Sequence, residues 1–419
     1  MPTNTTVITK WRPNIYLFLF GQFFSGVTSM VVQYAIIWYL TKETGSATVL
    51  SLATLLGMLP MVLLSPIVGP FVDRTNKKAL LIVPDIVAAV IAIILAIVGI
   101  VTHNFPLWLI FISLLIRSIA QTFQMPTIQS ILPTMVPKDE LTKINGQLGM
   151  VQSANMIIAP ALGAFLYAIV PISVLILLDV LGAVVGVSII LFVKIPENPV
   201  IDEKIKIFKD MKFGLVKLRE NKGMWHLTLV GTLFTLIFMP AASMYPLMTM
   251  SYFHGSVTQA GIVEVVYSVG MLAGGAVIGF FGNWKDRIMP ILWSIFFMGL
   301  SFGISGYLPG NQKGFIGFLI LNAVAGLATP FFNTLLMAII QQSFPSEILG
   351  KVLGILNSLM SISAPLGLIF AGPLADSIGV NMLFVIGGVG TLLCGVLILF
   401  VPTMRKYDQQ LQASLNADD

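Results

Sequence analysis

Residues 69–101 read GPFVDRTNKKALLIVPDIVAAVIAIILAIVGIV. A short basic turn gives way to an apolar run, residues 79–101, whose one charged member is Asp85. A membrane span needs about 20 mainly apolar residues, and this run is long enough. Working outward with the same criterion finds about twelve such runs. They lie near 14–40, 47–71, 79–101, 105–130, 141–167 and 172–194, then near 224–250, 258–282, 288–308, 314–342, 350–374 and 380–402. An even number puts both termini on one side.

Composition points the same way. The 419 residues are 57% hydrophobic and 10% charged, whereas soluble domains are roughly 45–50% apolar and about 25% charged. A soluble chain of this length needs far more charge to coat its surface, so lipid must replace water around the outer faces. The expectation is an all-α polytopic membrane protein with twelve transmembrane helices. The single cysteine, Cys394, lies in an apolar run and excludes an internal disulfide or a multi-cysteine zinc site. The first run is too long for a signal peptide's apolar region and lacks a small-residue cleavage pattern, so it reads as the first span.

Lys and Arg in short loops set orientation. One side holds Lys10, Arg12, Arg74, Lys77, Lys78, Lys138, Lys143, Lys285, Arg287, Lys351, Arg405 and Lys406, while the other holds only Lys42 and Lys313. Both termini are therefore expected in the cytoplasm, with the chain in the inner (cytoplasmic) membrane. The same bias accounts for the net charge of +5, so no nucleic-acid partner is needed to explain it.

Residues 195–223 form the one long polar stretch, in which charges alternate with Ile207, Phe208, Met211, Phe213, Leu215 and Leu218. That spacing suits an amphipathic helix on the inner membrane surface. It divides the chain into an N-terminal six-helix bundle (1–195), a linker (196–222) and a C-terminal six-helix bundle (223–419). The halves repeat. Pro137, Asp139, Leu141 and Lys143 share their spacing with Pro345, Glu347, Leu349 and Lys351, each set entering a span. Two related six-helix bundles allow alternating access by rocking one against the other, and they permit a complete pathway in a monomer.

Four spans carry polar or small residues along one face. The first has Gln22, Ser25, Ser29 and Gln33, and the fourth has Ser113, Arg117, Gln121 and Gln124. The seventh has Thr228, Thr232, Thr235 and Ser243, and the tenth has Asn322, Gly326, Thr329, Asn333 and Gln341. These are the first members of each group of three spans, a placement that implies a common central cavity. Interhelical hydrogen bonding is the competing explanation, at about 0.6 kcal/mol per contact. Tyr34, Trp38, Phe234, Phe238, Met239, Tyr245 and Met337 lie beside the stripes, and greasy walls with scattered hydrogen-bonding groups suit a small amphipathic substrate. The stripes hold one fixed positive charge and no carboxylate, which counts against dedicated cation transport.

Asp85, Arg117, Asp179 and Glu264 fall inside spans. Intramembrane ionisable residues are costly and read first as functional. One of the carboxylates can carry a coupling proton, with Arg117 tuning it, or an Asp–Arg117 pair can lock helices together; both fit the energetics. There is no phosphate-binding loop, and His103, His226 and His254 do not make a ligand set. No catalytic residues, metal or cofactor are expected. An ion gradient, most simply protons, is the remaining source of energy.

The quoted turn carries a further signal. Gly69, Asp73, Arg74, Lys77 and Lys78 match the Gly-x-x-x-Asp-Arg-x-Gly-Arg-Lys motif between the second and third spans of the major facilitator superfamily, with Asn76 in place of the usual glycine. The resemblance implies that the motif is a cytoplasmic gate. Arg117 resembles the fourth-span arginine of the superfamily's drug/proton antiporters. Ala159-Pro160-Ala161-Leu162-Gly163-Ala164 resembles their Gly-Pro-x-x-Gly-Gly motif at Pro160 and Gly163. Stretches at 39–46, 116–119, 179–183, 218–223 and 270–275 resemble the macrolide-efflux branch, in order along nearly the whole chain. The resemblance implies proton-coupled efflux of drugs or hydrophobic metabolites across the lipid bilayer. The acidic residue that many such exporters carry in the first span is absent here. A facilitator or importer of another small solute and a non-transporting sensor are the alternative readings.

Overall fold

The computed structural model describes residues 11–137, 139–196, 207–281, 284 and 286–418; the side chains of 65, 66, 69, 70, 73, 207–210, 346, 347 and 415–418 lie outside the description. The described residues are almost entirely helical, with no strand among them. Twelve helical segments are long and apolar enough to cross a membrane. They are Trp11–Thr44, Ala47–Leu64, Lys77–Thr102, Leu107–Met135, Leu141–Ile169, Ile172–Phe192, Lys222–Tyr252, Val257–Phe280, Ile288–Ser305, Gln312–Ser343, Ile348–Ile378 and Val380–Phe400. In lipid every backbone polar group must be satisfied within the protein, and helices achieve this segment by segment.

Local chemistry sets many of the ends. Asn76 accepts a hydrogen bond from the Ala79 N–H (3.0 Å) and starts the third span, and Asn221 does the same for the seventh through Met224 (3.1 Å). Ser256 and Gln259 form a capping box on the eighth. Two spans are interrupted: the fourth at Phe123, and the sixth between Leu175 and Leu178. The seventh ends in a wide turn at Met248–Tyr252.

The 69–78 motif is not the loop that the sequence implied. The second helix runs without a break from Ala47 to Arg74, and the third begins at Lys77. Asn76 has φ −60°, so it serves as a helix cap rather than as a left-handed stand-in for glycine.

By internal contacts the chain divides into two compact units, one joining Met1–Leu40 to Leu55–Ile205 and the other joining Thr41–Thr54 to Lys206–Asp419. In the first, Ile15, Phe18, Leu81, Ile131, Ile144 and Ile190 share a core drawn from the first, third, fourth, fifth and sixth spans.

The second unit is built around aromatic rings. Phe302 lies 4.5 Å from Phe238 and 5.1 Å from Phe384 between ring centroids, and Tyr245 touches Phe302, Phe318 and Phe384. Residues 41–54, which the sequence reading put in the N-terminal bundle, cluster with this unit. A long-range contact ties them there: Asp376 accepts from the Ala47 N–H (2.6 Å), the Thr48 N–H (3.0 Å) and the Ser46 hydroxyl (2.9 Å). A carboxylate at a helix N-terminus satisfies unpaired N–H groups and meets the positive end of the helix dipole. Gly45, at φ +58°, makes the preceding turn possible.

The linker forms a helix, Ile207–Glu220, that belongs to the second unit. Its Leu218 is fully buried, and the Lys351 ammonium sits 5.1 Å from the Phe213 ring centroid. A last helix, Tyr407–Asp418, is held by a buried ion pair in which the Arg287 backbone N–H and guanidinium both donate to Asp408. Arg405 and Gln409 donate to neighbouring Asp286 at 2.8 and 3.0 Å.

Candidate functional site

In the first unit the first, fourth and fifth spans enclose a pocket of about 220 Å³. Gln22, Ser25, Ser29, Gln121 and Gln124, all from the stripes, line it; Gln152 and Asn155 complete its polar wall. Gln33 does not line it, and its amide lies against Gly57 of the second span. Gln152 and Asn155 escaped the sequence reading because the fifth span was read for its Pro160 and Gly163 pattern. Their three-residue spacing was the available signal. Asn155 packs over Gly26, where a larger residue would collide with its amide.

Two serines one turn apart connect this pocket to buried acids. Ser25 and Gln124 donate to Asp85 Oδ1 at 3.2 and 3.1 Å, while Asp85 Oδ2 has no hydrogen-bond partner among the described residues. Gly186 of the sixth span leaves room for that oxygen. Ser29 donates to Asp179 Oδ1 at 3.1 Å. Asp179 is also ion-paired with Arg117, whose Nη2 reaches the Ser29 carbonyl at 3.2 Å. Both members of the pair are essentially inaccessible, at 2% and 0% side-chain exposure. The charged side chains are thus sorted: Asp179 pairs with Arg117, one of the two arrangements the sequence allowed, and among the described residues Asp85 is held by neutral donors.

The other sequence candidates disperse. Gly163 packs against the Trp38 ring, which stacks on Tyr34 and meets Tyr167 edge-on. Trp38 is fully buried and is core rather than cavity wall, and the Pro160–Gly163 pattern forms a packing joint between the fifth and first spans. Thr228, Thr235 and Thr329 donate to carbonyls four residues back in their own helices, and Asn322 donates to the Val263 carbonyl. Thr232 Oγ1 has no partner among the described residues, and Asn333 is exposed. Phe234, Phe238 and Tyr245, expected beside a cavity, are instead buried members of the aromatic core. Glu264 lies apart from the charged cluster, in the second unit, near Tyr245 and Tyr267.

Of the 69–78 motif, the Asp73 side chain lies outside the described residues. Lys77 and Lys78 reach the Ser130 and Leu191 carbonyls, each at 3.4 Å. The motif also has a sequence echo that went unread: Gly282 and Asp286-Arg287 repeat the spacing of Gly69 and Asp73-Arg74. The echo's charged pair is the one held by Arg405, Gln409 and Asp408.

The family model described as Major Facilitator Superfamily matches residues 18–252 and 227–415. The chain is 38% identical over 401 residues to macrolide efflux protein A of Streptococcus pyogenes, covering 95% of this chain and 98% of that one. It is 25% identical over 431 residues to the multidrug efflux pump Tap of Mycolicibacterium fortuitum, covering 96% and 98%. Its fold is shared with the crystal structure of a bacterial homologue of the iron transporter ferroportin, at a TM-score of 0.71 and 16% identity over 95% of this chain and 99% of that one. With twelve spans, a repeated Gly-x-x-x-Asp-Arg spacing and a match along nearly its whole length, the chain belongs to the major facilitator superfamily of membrane transporters, in the branch of macrolide efflux protein A.

Proposed function

We propose that this protein is a secondary active exporter of amphipathic drugs or hydrophobic metabolites, driven by proton antiport through alternating access. The observation that carries the reading is the amide-lined pocket joined through Ser25 and Gln124 to Asp85. A membrane-buried carboxylate without a counter-ion is strongly disfavoured as an anion. It becomes tolerable when it takes up a proton or when water reaches it. Alternation between those states is what an antiporter needs. Because Gln124 and Ser25 both line the pocket and bond to Asp85, filling the pocket perturbs the acid directly.

In this reading Arg117 and Asp179 hold the fourth and sixth spans together, and their fixed charges define the field in which Asp85 titrates. Asp73 and Arg74 gate the cytoplasmic side. Both termini face the cytoplasm, the protein sits in the cytoplasmic membrane, and the monomer is the working unit. The relatives named for macrolide and multidrug efflux support export.

The test is uptake of a fluorescent amphipathic dye into inverted vesicles, with and without an imposed proton gradient. Gradient-dependent accumulation that disappears in Asp85→Asn, with dye binding retained, is the expected result. Accumulation indifferent to the gradient would overturn the coupling, and none across chemically varied dyes would overturn the export reading.

A further inference from the structure

Gly372-Pro373-Leu374-Ala375-Asp376 closes the eleventh span, and Gly69-Pro70-Phe71-Val72-Asp73 closes the second. The Gly-Pro-x-x-Asp pattern is the same, and each aspartate stands in the last turn of its helix, Ser346–Ile378 or Ala47–Arg74. By the count of spans these two helix ends lie on opposite faces of the membrane. A carboxylate in a last turn meets the negative end of its own helix dipole. Asp376 is thus poorly placed for the helix that carries it and well placed for another.

That other helix is the second span. Asp376 takes the Ala47 and Thr48 N–H groups, and Ser46 Oγ takes the Val49 N–H at 3.3 Å while donating to Asp376. The first N–H groups of a helix have no partner within it, and here one carboxylate and one serine meet three of them. The backbones also fit closely. A Cβ at Gly372 would come within 2.8 Å of both Thr48 Cα and Ser51 Cβ, so glycine is what lets the helices approach. Ser51, 3% exposed, is covered by this contact, and its hydroxyl has no partner among the described residues.

The contact is built to release. Asp376 is itself exposed, so water can replace its partners without stranding a buried charge. The residues it holds, Thr41–Thr54, group with the second unit, whereas the rest of the first two spans groups with the first. A segment held by a few exchangeable hydrogen bonds is the kind of element that has two discrete arrangements.

We propose that Asp376 is a latch of the transport cycle: it holds the first turn of the second span while the pathway is closed on the face opposite the termini, and lets go when that face opens. The proposal rests on the alternating-access reading and gives the 69–78 motif a counterpart on the other face.

The experiment uses the full chain in lipid nanodiscs, with Cys394→Ala as background and a hydrophilic maleimide as probe. Ser51→Cys reports the latch, and Ser305→Cys, equally buried on the ninth span, reports general loosening. Asp376→Ala is expected to speed labelling at position 51 about five- to thirtyfold, the population shift that loss of a helix cap allows, and to leave position 305 unchanged. Asp376→Asn should fall between. Unchanged labelling at 51, or equal gains at both positions, would make Asp376 a structural cap and overturn the latch. A second measurement ties it to transport. In inverted vesicles, oxidising Ser46→Cys/Asp376→Cys should stop gradient-driven dye accumulation and reductant should restore it to the level of Asp376→Ala. Accumulation that continues with the disulfide formed would also overturn the latch. If wild type accumulates no dye, the export reading fails, and labelling at position 51 still decides the latch.

Discussion

Arg117 on the fourth span and Phe302 on the ninth are each 2% exposed, yet they fill their interiors with opposite chemistry. Around Arg117 the N-terminal unit buries an ion pair, a second acid and a pocket of amides. Around Phe302 the C-terminal unit buries a continuous set of rings, and its Thr228, Thr235 and Thr329 donate within their own helices. Two bundles that share a helix number need only preserve it and close packing. What each buries is free to differ: the N-terminal unit buries an ion pair and a second acid among its spans, while the spans of the C-terminal unit bury rings around Phe302.

The most damaging way to test that division is Arg117→Ala. It strands Asp179 without its cation, and breaking a buried pair costs about 3–5 kcal/mol. Folded protein recovered in detergent should fall sharply. The double variant Arg117→Met/Asp179→Leu should recover most of it, since an apolar replacement of a buried pair is often neutral. Transport by that double variant separates the two readings of the pair: full activity makes it a lock, and a stable but inactive protein makes it part of the coupling.

Phe302→Ala is the counterpart in the other unit. Large-to-small changes of a buried ring cost about 3–5 kcal/mol, and thermal unfolding should show the loss. Proton dependence of whatever transport survives should be unaltered; a shifted pH profile would erase the contrast between the halves. Asp85→Asn tests it from the N-terminal side. The amide keeps the Ser25 contact and cannot carry a proton, so thermal stability should hold while gradient-driven accumulation is lost. Normal coupling in that variant would move the proton site elsewhere.

Asp376→Ala should cost about 1–2 kcal/mol, the value of a good helix cap, seen as a lower unfolding temperature. Asp376→Asn should recover part of it. The smallest effect is expected from Thr235→Val, at most about 0.6 kcal/mol, because its hydroxyl bonds to the Gly231 carbonyl at 2.9 Å within the same helix. A large transport defect there would restore the seventh-span stripe as a binding surface.

How far the sequence reached differs by residue. Gln22, Ser29, Gln121 and Gln124 were legible because helical periodicity places them on common faces. Gln33 obeys the same periodicity and lands against Gly57, since a helix pitched across its neighbours exposes its two ends to different surroundings. Thr228 and Thr235 also fit the pattern, but a hydroxyl that can bond back to its own helix needs no cavity. Asp376 gave no periodic signal at all, because its partners lie more than 300 positions away in the chain.

The sequence by itself determined that this is a twelve-span membrane protein of the major facilitator type. Hydropathy and loop charge are sums over adjacent residues, and a span is recognised wherever such a sum is large. Only the tertiary structure decided that Asp179 belongs to Arg117, that Asp85 is held by neutral donors, and that Tyr245 packs into the aromatic core around Phe302. Those outcomes depend on how each helix is rotated toward its neighbours, and rotation is set by packing across the bundle rather than by any residue nearby in the chain.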